Sequence, residues 1–194
     1  HYEHVQSVNF DGAAFFGACS VDGRIVALLT GVTIAYNPAT GDGWRIVEAD
    51  ASVHVGHSSC SAEFEGELIV ASGRPTKFDK SVAAFKFSTS PTSAEWWRGA
   101  WRQMPDLAKA RVGGSMAAVY GKLYITGGVD EVSGEFRGDA ELLDQDKWSQ
   151  VPWFSMPRAL HAHETHAMPY LHSCTSTSKR RAAPETPSSC KDSK

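Results

Sequence analysis

The chain has 194 residues, of which 42% are hydrophobic, and it includes six Trp and nine Phe, enough for one domain with a substantial core. Its formal net charge of −3 offers no strongly charged surface, which argues against nucleic acid or an anionic membrane as the main partner. No apolar run approaches the roughly 20 residues that a membrane helix needs, and residues 1–4 show no secretory leader pattern.

The four cysteines lie far apart in the sequence. Cys19 and Cys60 fall in strand-like runs of small residues, whereas Cys174 and Cys190 fall in a polar segment near the end. This spacing favours reduced thiols over a disulfide framework. We therefore expect a cytoplasmic protein, with the nucleus as the other compartment that fits.

The first unit of the chain runs from about residue 10 to residue 50. Residues 15–21 form a small and apolar run, Asp22-Gly23 is typical of a hairpin turn, and residues 24–29 supply the partner strand. A third strand is predicted over residues 32–36, and it ends before Pro38, which cannot donate to a ladder. A fourth strand is predicted over residues 44–47.

The second unit runs from about residue 53 to residue 103. Strands are predicted at 58–64 and 67–71 around the turn Glu65-Gly66, and a third at 82–87. Either Trp97 or Trp101 closes the unit. Trp101 is favoured because Met104-Pro105 follows it at nearly the distance at which Pro152 follows Trp148.

The third unit, from about residue 111 to residue 151, is the clearest. A small-residue run over 113–119 precedes a turn and the β-branched and aromatic strand 122–126. A charged loop over residues 129–139 then leads to an apolar strand at 141–144 and to Trp148. A fourth unit begins at Met156, but no further turn glycine or strand follows.

These units repeat at intervals of about 40 to 55 residues, which is typical of propeller blades. Their order of elements resembles the kelch repeat, the four-stranded unit of one β-propeller blade. The landmarks that carry the resemblance are the turn glycines Gly23, Gly66 and Gly121, the later glycines Gly31, Gly73, Gly127 and Gly128, and the aromatic residues Tyr36, Trp44, Trp101, Tyr124 and Trp148.

The resemblance implies an all-β fold of kelch-type four-stranded antiparallel blades over residues 1–170, followed by a disordered polar tail over 171–194. Propellers close with about four to eight blades, so three units form an incomplete ring. Three explanations stay open: further blades outside this sequence, copies of the chain that associate, or an incomplete gene product.

Kelch propellers commonly bind other proteins through the loops of one face, so the resemblance implies a protein-interaction scaffold. The candidate contact residues follow the second glycine landmark: Arg74, Lys77 and Phe78 in the second unit, and Asp130, Glu131, Phe136 and Arg137 in the third. The identity of the partner, and any accompanying domain, lie beyond what the sequence indicates.

The alternative hypothesis is a metal-dependent enzyme. His161, His163 and His166 are ligand types that suit zinc or copper, and galactose oxidase, a copper enzyme, is built on a kelch propeller. The spacing of His163 and His166 differs from a zincin helix, and no residue matches the oxidase ligand positions. The preferred interpretation has no catalytic residue and no cofactor.

Overall fold

The computed structural model describes residues 15–47, 58–72, 80–130 and 132–152. Within these residues the chain forms three four-stranded antiparallel sheets, which we call blades 1, 2 and 3. In each blade the four strands lie side by side in chain order. None of the described segments forms a helix long and apolar enough to cross a membrane.

The twelve strands are short, as expected for blades separated by frequent turns. Blade 1 contains β1 (Phe15–Val21), β2 (Arg24–Leu29), β3 (Val32–Tyr36) and β4 (Arg45–Ile46). Blade 2 contains β5 (Cys60–Phe64), β6 (Glu67–Ala71), β7 (Val82–Phe87) and β8 (Gly99–Met104). Blade 3 contains β9 (Ser115–Val119), β10 (Lys122–Thr126), β11 (Ala140–Asp144) and β12 (Lys147–Val151).

The predicted all-β blade architecture is confirmed, and several strand limits agree with the prediction to the residue. The fourth strand of blade 1 is shorter than predicted, because only Arg45 and Ile46 pair with β3 while Trp44 and Val47 flank them. Trp101, rather than Trp97, lies in the fourth strand of blade 2, as the spacing favoured.

The strand registers show that the blades repeat at the level of side chains. Trp101 lies opposite Phe85 in blade 2, and Trp148 lies opposite Leu143 at the same place in blade 3. In blade 1 the rings of Tyr36 and Trp44 are 5.6 Å apart between centroids. The aromatic landmarks therefore mark one recurring position, where the outermost strand packs against its neighbour.

The cores lie between the blades. The first strands β1, β5 and β9 pack side by side, and their small residues allow this close approach. The core between blades 2 and 3 includes Ile69, Leu123 and Trp148, which is 3% exposed. The core between blades 1 and 2 includes Leu28 and Phe85. The predicted burial of Trp148 is confirmed, whereas Trp44 and Trp101 are only partly buried.

One tryptophan escaped the sequence reasoning. Trp96 lies in the connection between β7 and β8, yet it is fully buried between blades 1 and 2 and packs edge-on against Trp97 with ring centroids 5.8 Å apart. The long connection therefore contributes to the core, because its tryptophan fills space that the short strand β4 leaves beside blade 1.

The two ends of the blades differ. The turns 22–23, 65–66 and 120–121 lie at one end, which we call the turn face. The connections at 30–31, 72–81 and 127–139 lie at the other end, which we call the loop face. In blade 3 the connection 127–139, the blade-3 loop, is the longest of these and contains the predicted contact residues.

Candidate functional site

The blade-3 loop folds back on itself as a tight hairpin. Val129 and Phe136 form an antiparallel bridge, and the backbone N–H of Asp130 donates to the oxygen of Glu135 at 2.8 Å. The N–H of Gly134 donates to the oxygen of Asp130 at 2.7 Å, with Gly134 at a positive φ of 71° that glycine adopts without strain. The loop is thus an ordered hairpin.

The hairpin is attached to the segment that precedes β9. Val129 and Val112 exchange two backbone hydrogen bonds of 2.8 and 3.1 Å. Gly128 makes this approach possible, because an added Cβ would lie only 3.0 Å from the backbone oxygen of Val112, and its φ of 95° disfavours other residues. The glycine landmark that identified the repeat therefore has a direct role in seating the loop.

The carboxylate of Asp130 closes the tip of the hairpin. Its Oδ1 accepts hydrogen bonds from the backbone N–H of Val132 at 2.9 Å and of Ser133 at 3.1 Å. Its Oδ2 pairs with the Nη2 of Arg137. The Ser133 N–H, followed by the Val132 N–H and the Arg137 guanidinium, lowers the pKa of Asp130 below its usual value of 3.8.

Arg137 supports the hairpin from within. Its side chain is 13% exposed, its Nε donates to the backbone oxygen of Ala110 at 3.1 Å, and its Nη1 lies 3.6 Å from Oδ2 of Asp139. Sequence reasoning placed Arg137 on the contact surface because arginine is usually exposed. Most of its guanidinium is instead occupied by these internal partners, and its contact with a partner stays a prediction.

Asp139 connects the hairpin to the blade. Its Oδ2 accepts from Nζ of Lys109 at 3.0 Å, and its Oδ1 lies 3.6 Å from Nη2 of Arg111. Burial raises the pKa of Asp139, but the hydrogen bond from Lys109 and the charges of Arg111, Lys109 and Arg137 outweigh it and lower the pKa below 3.8.

Beneath the loop lies a fully buried ion pair that the sequence reasoning missed. Nη2 of Arg111 lies 2.6 Å from Oε1 of Glu141, and both side chains are shielded from solvent. Arg111 also donates to the oxygen of Gly127 at 2.9 Å, and Glu141 accepts from the backbone N–H of Ala108 at 2.7 Å and of Lys109 at 3.2 Å. The available signal was a glutamate next to buried Ala140 at the start of an apolar strand.

Two apolar side chains project from the supported hairpin. Phe136 is 65% exposed and Val132 is 82% exposed. Large apolar side chains exposed on an ordered loop are suited to entering a pocket on another molecule, because little conformational entropy is lost on binding. The expectation that Phe136 is an exposed aromatic residue flanked by charges is confirmed.

The remaining predicted contact residues cannot be placed. Arg74, Lys77, Phe78 and Glu131 lie outside the described residues, as does the landmark Gly73. Phe136, Asp130 and Arg137 are brought together by the hairpin, with Arg137 turned inward and Phe136 outward.

The described residues give no support to the metal hypothesis. His161, His163 and His166 lie outside them, and within the described ranges no group of three His, Cys, Asp or Glu residues is arranged to hold a metal ion. Cys19 and Cys60 both have free thiols, and burial raises their pKa values to about 11 and about 12. These values suit structural cysteines on crowded inner strands rather than reactive thiolates.

Comparison with known proteins agrees with the blade architecture. Residues 110–152, which include all of blade 3, match the family model described as the kelch motif. No curated protein sequence matches the chain. A solved structure titled "Structure of YjhT" is similar with a TM-score of 0.54 and 12% identity, over 70% of this chain and 42% of that one.

The chain spans less than half the length of that solved structure, and at this identity the likeness concerns the fold. The family match falls on the unit that the sequence marks most clearly, and it includes the Arg111–Glu141 pair and the glycines that seat the loop. The chain therefore carries a kelch repeat as its third blade and has the all-β fold of an incomplete kelch-type β-propeller.

Proposed function

We propose that this kelch-type chain is an interaction module that binds another protein through the blade-3 loop, with Phe136 as its apolar anchor. The observation that carries the proposal is the exposure of the Phe136 ring on a hairpin whose backbone and charged groups have partners inside the molecule. An ordered loop that holds an aromatic ring in solvent is suited to binding, since the ring gains burial only when a partner covers it.

The internal contacts of the loop support this role. Asp130 and Arg137 pair with each other, and Asp139 pairs with Lys109. These pairs fix the hairpin before any partner arrives, and preorganisation reduces the entropy lost in association. The energy of binding then comes mainly from covering Phe136 and Val132, while the charged residues set the shape of the loop.

Site-specific photo-crosslinking tests the proposal. A photoreactive phenylalanine analogue at position 136 is expected to trap a distinct protein from the native cell extract, and Phe136→Ala is expected to prevent co-purification of that protein. Tyr120 provides the matched control, because it is an exposed aromatic residue, 74% exposed, on the turn face. Equal capture from positions 136 and 120, or capture that survives Phe136→Ala, would contradict the proposal.

A further inference from the structure

The charges around the blade-3 loop are not evenly balanced. Three cations, Lys109, Arg111 and Arg137, pair with Asp139, Glu141 and Asp130. These six groups neutralise one another at the base of the hairpin. Any charge that the loop offers to a partner must therefore come from its remaining ionisable residues.

Those remaining residues are both acidic and belong to the tip. Glu135 is exposed and makes no ion pair with another described residue. Glu131 follows Asp130 directly in the sequence, although its own placement lies outside the described residues. No lysine or arginine occurs between Asp130 and Phe136, so the tip carries two carboxylates without a cation of its own.

The apolar anchor and the acidic charge lie on the same short hairpin. Phe136 adjoins Glu135 in the chain, and Val132 is only one residue beyond Glu131. An aromatic anchor surrounded by exposed charge is recognised by a pocket whose rim has the opposite charge, since rim charges set specificity and association rate while the pocket supplies the apolar contact.

We infer that the surface recognised by the blade-3 loop is an apolar pocket or peptide with lysine and arginine residues at its rim. This inference rests on the proposed function and adds the chemistry of the partner to it. An acidic partner is disfavoured because it would bring like charges together at Glu135, with no exposed cation on the tip to compensate.

Selection from a displayed library of random linear peptides tests the inference with the full chain as bait. The expected binders combine apolar or aromatic residues with Lys or Arg. Their affinity should fall roughly three- to tenfold in Glu135→Lys, and it should weaken as salt concentration rises. Glu65→Lys, the same charge reversal at an exposed turn-face position, is the matched control and should change affinity by less than about twofold.

The possible outcomes separate the inference from the proposed function. Selected peptides that need Phe136 but are acidic or uncharged, or that bind Glu135→Lys as tightly as the unchanged chain, would overturn the basic-rim inference and leave loop binding intact. Selection of no peptide sensitive to Phe136→Ala would overturn both. Basic peptides sensitive to both Phe136→Ala and Glu135→Lys, and insensitive to Glu65→Lys, would support both.

Discussion

Arg24, at the start of β2 in blade 1, donates a hydrogen bond from Nε to the backbone oxygen of Trp96 in blade 2 at 3.0 Å. Its Nη2 donates to the oxygen of Thr89, its Nη1 lies 2.5 Å from Oδ2 of Asp22, and its guanidinium carbon lies 4.1 Å from the centroid of the Phe87 ring. This fully buried arginine joins the two blades at the turn face and holds the β7–β8 connection that carries Trp96.

Arg24→Met is therefore expected to lower the free energy of unfolding by about 2–4 kcal/mol, because backbone oxygens of the connection lose their charged donor in a buried setting. Arg45→Met is the matched control. Arg45 is exposed and lies 5.2 Å from the Trp97 ring centroid, so its loss should cost less than about 1 kcal/mol. Urea unfolding followed by tryptophan fluorescence measures both, and equal effects would show that Arg24 does not join the blades.

The buried pair Arg111–Glu141 predicts a strong asymmetry between single and double variants. Arg111→Met or Glu141→Leu alone should cost about 3–5 kcal/mol, because each leaves an unpaired charge in the interior. The double variant should cost less than the sum of the single ones, since neither charge then remains. Chemical denaturation of all four proteins gives the coupling energy.

An exposed pair provides the comparison for that experiment. Arg102 lies 2.6 Å from Oε2 of Glu67, but its side chain is largely in solvent. Arg102→Met should therefore change the free energy of unfolding by no more than about 1 kcal/mol. Additive effects of Arg111→Met and Glu141→Leu would show that the buried pair does not act as a unit.

Gly99 predicts a steric effect at a strand position with no unusual backbone requirement. A Cβ at Gly99 would lie 2.3 Å from the backbone oxygen of Lys86 and 2.3 Å from Cζ of the buried Phe85 ring. Gly99→Ala should cost about 3 kcal/mol or more, since β7 or the Phe85 ring must move. A Cβ at Gly17 would meet only Oγ of Ser61 at 3.7 Å, so Gly17→Ala should cost less than about 1 kcal/mol.

Thermal unfolding and soluble yield compare these two glycine variants directly. A Gly99→Ala protein as stable as Gly17→Ala would mean that the strands β7 and β8 can separate locally without loss of packing. The comparison tests the placement of the Phe85 ring against β8, which also sets the contact between Phe85 and Trp101, whose ring centroids are 5.1 Å apart.

The sequence predicted the blade strands well because local patterns determine them. The turns Asp22-Gly23, Glu65-Gly66 and Tyr120-Gly121 each have two successive residues with positive φ, which is the geometry of the tight hairpin turn that such glycine dipeptides favour. The small-residue runs before these turns likewise predicted the crowded inner strands β1, β5 and β9.

The sequence did not predict contacts that depend on the packing of two blades. Trp96 was overlooked because its burial depends on blade 1, and Arg24 because its carbonyl partners are more than 60 residues away along the chain. The inward orientation of Arg137 was missed for the same reason, since its Nε partner is the distant backbone oxygen of Ala110. Residue type alone does not distinguish a supporting arginine from an exposed one.

Cys60 predicts a protected thiol. Burial raises its pKa to about 12, although the charge of Arg111 opposes the shift. Because the folded-state pKa lies above the unfolded value of 9.0, the thiol stabilises the fold fully below about pH 9, and this contribution is lost as pH rises toward 12. Iodoacetamide at pH 8 should therefore modify Cys60 in urea but not in the native protein, as peptide mass spectrometry would show.

Cys19 extends the same test to a partly buried thiol. Its pKa is raised to about 11, chiefly by burial, so it should also react slowly in the folded protein, but faster than Cys60 because part of the side chain reaches solvent. Rapid native labelling of Cys60 at pH 8 would contradict the burial of β5 between its neighbours.

Asp130 predicts that the order of the binding loop can be lost without loss of the blade. Asp130→Ala removes the acceptor of the Val132 and Ser133 N–H groups and the partner of Arg137, so amide exchange at positions 132 and 133 should accelerate while the thermal midpoint changes little. Asp130→Asn keeps one acceptor oxygen and should restore part of the protection. Glu135→Ala is the control, because that side chain has no ion pair among the described residues.

The same variants separate loop order from direct contact. If Phe136 binds only when the hairpin presents it, Asp130→Ala should weaken binding although the ring is unchanged, and Asp130→Asn should weaken it less. Since the folded-state pKa of Asp130 lies below 3.8, its contribution to loop order is present above about pH 4 and is lost as pH falls through the lowered pKa. Hydrogen exchange at positions 132 and 133 that is the same in Asp130→Ala as in the unchanged chain would show that other contacts order the hairpin.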